Sequence, residues 1–268
     1  MNQPIWRELS QIWRYRDFVF DSVKRDFDLR YRRSMLGLAW AVLNPLAMVL
    51  VYAFVFGSLM QPRLSGADAP GAYVAYLIAG LLPWSLLAEI ATRGQNVFIE
   101  NAELVKKSSA PRASLALVAA LVALCGFVLV LAVFLLLLAA QGRFPGVALL
   151  SMIPLVALLM VFAFGLALTL AVANVFFRDV SHLVPVGLQF LFWLTPIVYT
   201  ADIIPADYRW LLGLNPLTSL LGAFQTIMVE AKAPEWSRLL YPAIMALALN
   251  LLGWRLLLSH GDEMVEEI

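Results

Sequence analysis

Six apolar stretches, at residues 35–59, 72–91, 113–140, 148–177, 183–199 and 239–258, dominate this chain of 268 residues. About 20 consecutive apolar residues in helical form cross the hydrocarbon core of a bilayer, so each stretch reads as a membrane span. The fifth is the shortest. Behind it lies an apolar segment, 200–238, broken at Pro205, Pro216 and Pro234. With 62% of residues hydrophobic and 14% charged, a soluble domain of this length is excluded. The expected fold is an all-α integral membrane protein with six transmembrane helices, the transmembrane domain covering 35–258.

The few charges are segregated. With the N-terminus in the cytoplasm, the inside segments 1–34, 92–112, 178–182 and 255–268 hold fourteen of the nineteen Lys and Arg residues. That excess of positive charge on one side predicts that both termini are cytoplasmic, with 259–268 as a tail. Residues 1–34 do not read as a signal peptide, because the basic region is too long and lacks a small-residue cleavage site. Trp6, Trp13, Phe20 and Phe27 recur every seven residues, with Leu9 and Val23 nearly on the same face. This is one apolar stripe on a helix. Lys24, Arg25, Arg30, Arg32 and Arg33 crowd its C-terminal half, where each cation gains about 1 kcal/mol from anionic headgroups. The pattern predicts an amphipathic helix on the inner membrane surface, feeding into the first span; docking on a soluble partner is the alternative use of that face.

The spans offer little chemistry. Transport driven by an ion gradient leaves ionisable groups inside the membrane, and here Glu89 is the one acid within a span, near its cytoplasmic end. His182 and His260 fall at span ends, and Cys125 reads as a small buried hydrophobe. None of the four lysines follows a glycine, so a GxxxxGK[ST] phosphate loop is absent; HExxH and GxSxG are absent too. A membrane-embedded sugar-transfer enzyme would show acids or histidines clustered at one face. A non-catalytic scaffold of a synthesis complex is a further reading from a different class. Arg178 and Asp179 are the charged pair between the fourth and fifth spans, expected to form an ion pair that fixes the turn.

Four stretches carry a resemblance, in order and spacing: RDFDLRYRRSMLGLAWAVLNPLAMVLVYAFVFG at 25–57, NAELVKKSSAPRA at 101–113, NVFFRDVSHLVPVGLQFLFWLTPIVY at 174–199 and LNPLT at 214–218. Together they resemble the permease subunits of type-2 ABC exporters, especially those for O-antigen, capsule or teichoic-acid polymers. One departure is Ser-Ser-Ala before Pro111-Arg112, where the family often has an aromatic. The resemblance implies a half-transporter in the cytoplasmic (inner) membrane. It would form a homodimer served by two copies of a separate ABC ATPase, which uses ATP and Mg while this chain binds no cofactor. The cargo would be a lipid-linked polysaccharide, with a drug or small lipid as the alternative within the superfamily and no nucleic acid involved. The segment between the fifth and sixth spans would form short re-entrant outer helices.

Sugar rings stack on aromatic faces without demanding a fixed sugar sequence. The resemblance places the first and fifth spans near the channel and its lateral opening, so Trp40, Tyr52, Phe54, Phe56, Phe190, Phe192, Trp193 and Tyr199 are the candidate channel residues. Arg30, Arg32, Arg33, Arg178 and Asp179 are the candidate cytoplasmic gate. Pro45, inside the first span, removes a backbone hydrogen bond and is a candidate hinge.

Residues 100–113, ENAELVKKSSAPRA, are charged between two apolar blocks. Glu103 stands three and four residues ahead of Lys106 and Lys107, an order that supports a helix. Leu104 and Val105 would share one face of it, and Ala110 before Pro111 is biased out of the helical region, ending it. Glu100, Asn101, Glu103, Leu104, Val105, Lys106 and Lys107 are therefore expected to form the cytoplasmic coupling helix, seated in a groove of the ATPase.

Overall fold

The computed structural model describes residues 5–32, 37, 39–52, 54, 72–107 and 110–268, and among them all regular structure is helical. The N-terminal region is two helices, α1 (Ile5–Arg14) and α2 (Arg16–Arg32), interrupted at Tyr15. The helix α3 (Ala39–Tyr52) covers the middle of the first expected span; 35–36, 38, 53 and 55–59 lie outside the described residues. Then come α4 (Ala72–Gly94), two short helices α5 (Val97–Glu100) and α6 (Ala102–Lys107), and α7 (Ala113–Ala140), which matches the third expected span end to end. Gly142 and Gly146, both at positive φ, turn the chain through a 3-10 segment, Gly146–Ser151, into α8 (Met152–Phe176).

The helix α9 (Val180–Leu194) has 15 residues and is about 22 Å long, short of the roughly 30 Å of a hydrocarbon core. It stops because Thr195 precedes Pro196 and is held extended, at φ −107° and ψ 131°. Two short helices follow, α10 (Arg209–Leu214) and α11 (Pro216–Gln225). Asn215 caps α11, its side-chain oxygen accepting from the Leu217 amide at 3.0 Å, with Pro216 in the first helical position. The last helix, α12 (Leu240–Glu267), runs through residues 259–267, which were expected as a tail. Trp254, Leu257, Gly261 and Met264 keep helical spacing and are buried, which is why the helix continues.

Among the described residues, four helical segments are long and apolar enough to cross a membrane: 72–94, 113–140, 146–176 and 236–267. They become five if 206–214 and 216–230, bent by 95° at Asn215, count as one broken span.

The central element is α4, packed against α7, α8, α9 and α11. Small residues allow the closest approaches. A Cβ on Gly165 of α8 would lie 2.7 Å from the Asn250 backbone nitrogen of α12, and one on Gly94 would collide with Ala167. Close backbone packing of this kind replaces the hydrophobic drive that lipid does not supply between helices. Between Gly165 and Gly253, Asn250 Nδ2 donates to the Val161 carbonyl at 2.7 Å.

Two ends of the bundle are distinct. At one, Arg93 pairs with Asp26 of α2 at 3.3 Å, Arg112 reaches Asp262 of α12 at 4.0 Å, and the rings of Phe176 and His260 stand 5.7 Å apart. This end gathers the described parts of all four segments in which the cations are concentrated. At the other, Tyr73 donates to the Val198 carbonyl at 2.6 Å, Tyr241 to the Leu214 carbonyl at 2.9 Å, and 146–151 lie against 226–230.

The helix α2 packs on α7 through Phe18, Val19, Ser22 and Val23 against Leu117, Val118, Leu121 and Val122. Phe20 of α2, from the stripe read in the sequence, is instead 66% exposed, as is Trp13 of α1 at 73%. The helix thus has two apolar flanks. One meets the bundle and the other, at Phe20 and Leu29, is exposed.

Candidate functional site

The cation-rich end is built where α4 runs out. Asn101 interrupts the chain between α5 and α6, its amide donating back to the Val97 carbonyl at 2.8 Å while its own carbonyl accepts from the Leu104 and Val105 amides. Phe98 and Val105 are buried against Ala113, Leu115, Trp254 and Met264. Leu104 is half-buried and faces a cavity of about 50 Å³ shared with Phe18, Ser22, Asp26, Arg93 and Val118. The two apolar side chains of the expected coupling segment therefore pack on the chain itself. Exposed instead are Ile99, Glu100, Glu103, Lys106 and Lys107, with Lys107 Nζ 2.7 Å from Glu103 Oε2.

Arg93 ties this corner together. It lies 3.6 Å from Glu89, one turn earlier, and 3.3 Å from Asp26. Glu89, the acid read inside the second span, is thus half-buried in an ion-pair network that also holds α2.

Behind it sits an uncharged centre. Asn174, fully buried, donates from Nδ2 to the Gln95 carbonyl at 2.9 Å and to Asn96 Oδ1 at 3.0 Å, and its Oδ1 accepts from the Ser181 amide at 3.1 Å. Arg178 and Asp179 are exposed, and no ion pair joins them among the described residues. The turn expected to rest on their pairing rests on Asn174 and on Ser181 Oγ, which donates to the Arg178 carbonyl at 2.8 Å. Arg33 and the side chains of Arg30 and Arg32 lie outside the described residues.

At the opposite end, Thr195–Tyr199 runs as irregular backbone through the bundle. Unpaired carbonyls there would be costly, and side chains satisfy them. Tyr76 donates to the Pro196 and Tyr199 carbonyls, both at 2.9 Å, Tyr73 to Val198, and Gln225 to Pro196 at 3.2 Å. Gly80 leaves the room for Gln225, whose Nε2 would stand 2.7 Å from a Cβ there. Asn215 Nδ2 donates to Thr195 Oγ1 at 2.8 Å, joining the bend before α11 to the end of α9.

Of the candidate channel aromatics, Phe192 sits between Trp84 and Trp193 at 5.4 Å from each, and Tyr199 donates its hydroxyl to the Trp193 carbonyl at 2.8 Å. Phe190 and Trp193 are 68% and 57% exposed. Trp40 and Phe54 are exposed as well; the Tyr52 side chain and Phe56 lie outside the described residues. Among the described residues one chain does not bring the two sets together, for α3 lies against α4 and α7 while α9 lies against α4 and α8.

Asn174, Gln95, Tyr73, Tyr76 and Gln225 were missed in the sequence because charge was the signal sought. Neutral amides and tyrosines inside apolar runs are the signal that would have found them.

A bundle of long apolar helices, with a cation-rich end and an irregular buried segment near the other, defines a polytopic membrane protein. A profile of the ABC-2 type transporter family matches residues 19–229, and the chain belongs to that family. It is a multi-pass membrane component of a transporter and not an enzyme. Relatives include an O-antigen export system permease protein RfbA of Klebsiella pneumoniae, 32% identical over 80% of this chain and 81% of the relative. Another RfbA, of Myxococcus xanthus, is 29% identical over 98% of this chain and 99% of the relative. The polysialic acid transport protein KpsM of Escherichia coli is 22% identical over 90% and 92%.

Proposed function

We propose that this chain is the permease subunit of an ABC exporter that moves a lipid-linked polysaccharide across the cytoplasmic membrane. The observation that carries this reading is the long likeness to permeases named for O-antigen and polysialic acid, both polysaccharides. Two copies form the channel. The support is α9, which has no buried residue although it is apolar along its length. A second copy would cover that face and bring the aromatic sets of α3 and α9 toward one path.

The six-span reading stands on the same basis. In it α3 belongs to the first span, α9 with Thr195–Tyr199 makes the fifth, and the bent pair of 206–214 and 216–230 is the re-entrant outer element. The cation-rich end faces the cytoplasm, so both termini do. Two ATPase copies dock there, supplying ATP hydrolysis with Mg. The segment 97–107 receives their motion, and contact falls to Ile99, Glu100, Glu103, Lys106 and Lys107, since Val105 is buried and Leu104 lines the chain's own cavity.

The test is reconstitution with a co-purified ABC ATPase in vesicles. Export of a polyprenyl-diphosphate-linked glycan, with hydrolysis rising as it is added, is the expected result. Stimulation by short amphiphiles alone would replace the cargo with a small lipid or drug.

A further inference from the structure

We infer that Asn174 is a positioning residue that passes movement of the coupling segment to α9, the helix carrying the candidate channel aromatics. The inference rests on the reading of 97–107 as the point where the ATPase acts.

Three features of Asn174 carry it. The side chain is fully buried, yet every polar atom of its amide is used across chain breaks and not within its own helix. Nδ2 holds Gln95 and Asn96, the two residues between the end of α4 and the start of α5. Oδ1 holds the amide of Ser181, in the first turn of α9. The residue in the capping position of α9, Asp179, makes no side-chain cap; the Val180 and His182 amides bond the Phe177 and Asp179 carbonyls, and the Ser181 amide is the one taken up by a side chain of the preceding helix. Ser181 also donates to the Arg178 carbonyl at 3.2 Å, a longer bond inside the turn.

The direction of transmission follows from what surrounds the amide. On one side, Gly94 is locked against Ala167, so α4 and α8 move as one body near this point. On the other, α9 has no fully buried side chain and meets the core through the half-buried Leu188, Leu191 and Phe192, all in its C-terminal half and away from Ser181. A push on 97–107 therefore reaches α9 through the amide more directly than through side-chain contacts. Two-state elements biased from both ends are the physical form that such coupling takes.

The experiment uses the complete permease–ATPase complex in lipid nanodiscs and vesicles, comparing wild type with Asn174→Ala and Asn96→Ala. Amide hydrogen exchange at Val180–Leu183 is followed with and without a non-hydrolysable ATP analogue, a readout that needs no cargo. In wild type the nucleotide changes that exchange; in Asn174→Ala it does not. In vesicles the same variant hydrolyses ATP at the wild-type rate, while polyprenyl-diphosphate-linked glycan exported per ATP falls about tenfold, the size expected for loss of a buried hydrogen-bonded group. Asn96→Ala removes one acceptor and leaves the Gln95 and Ser181 bonds, so it gives a smaller drop in the same ratio and serves if Asn174→Ala does not assemble. A nucleotide response at α9 that survives in the variant overturns the inference. So does a proportional fall of hydrolysis and export together, the mark of a residue that only stabilises the fold. Failure of wild type to export the glycan, with the exchange response intact, counts against the cargo and leaves the transmission role standing.

Discussion

The helices α4 and α9 are both apolar and each contains one proline, Pro83 and Pro185, yet 15 of the 23 residues of α4 are buried and none of the 15 in α9. Hydropathy does not distinguish them. What does is the supply of small residues and hydrogen-bonding side chains that α4 itself carries. Gly80 and Gly94 let Gln225 and α8 approach α4, and Tyr73 and Tyr76 bond the irregular backbone that follows α9. In lipid an apolar side chain gains little by moving from acyl chains to protein, so α9 can stand uncovered at small cost. Burial in this chain thus marks where helices are held to one another.

The largest effect expected from this contrast is in the core. Trp84 of α4 is buried against Phe192, and Trp84→Ala should cost about 3–5 kcal/mol, the range for large aromatic truncations. Folded protein recovered from membranes, followed by thermal unfolding in detergent, reads the loss. Recovery equal to wild type would show that α4 is less enclosed than its burial states.

A pair of glycine substitutions sharpens the comparison. A Cβ at position 94 collides with Ala167, whereas one at position 187 in α9 meets nothing within 4 Å. Gly94→Ala should destabilise by about 1–3 kcal/mol, the cost of overpacking. Gly187→Ala adds a methyl group to open space and gains helix propensity, so its unfolding temperature should match or slightly exceed wild type. Equal behaviour of the two variants would remove the contrast.

Much of the bundle was legible in advance. The helix α7 occupies the same residues as the third apolar stretch, because a run of 28 residues with no charge and Ser114 as its one hydroxyl leaves the backbone no alternative in lipid. The second and fourth were close for the same reason. Less legible was α9, since the pattern ran on through Pro196 while the backbone became irregular at Thr195, where side chains 120 residues away take up the carbonyls. Those long-range partners leave no periodic trace. Residues 100–107 read as one short helix, whereas the structure has α5 and α6 broken at Asn101, and the direction of the apolar face is not legible either, because Leu104 and Val105 fit a partner's groove and the chain's own core equally well in one dimension. Only the fold shows that α2, α7 and α12 already occupy that side.

The smallest effect on stability is expected where the functional effect is expected to be large. Trp193 projects from α9 with 57% of its surface uncovered, and its main structural service is the backbone carbonyl that accepts from Tyr199, which substitution does not remove. Its ring touches Phe192, itself anchored on Trp84. Trp193→Ala should therefore change the unfolding free energy by less than about 0.5 kcal/mol, as exposed substitutions do, and membrane abundance should be that of wild type. Polymer export in reconstituted vesicles should nevertheless slow, because a stacking face for sugar rings is lost from the path. A variant that folds and exports as wild type would assign the uncovered face of α9 to lipid alone. One that folds but no longer dimerises would assign it to the contact between copies, and the aromatic path would then have to be sought on α3.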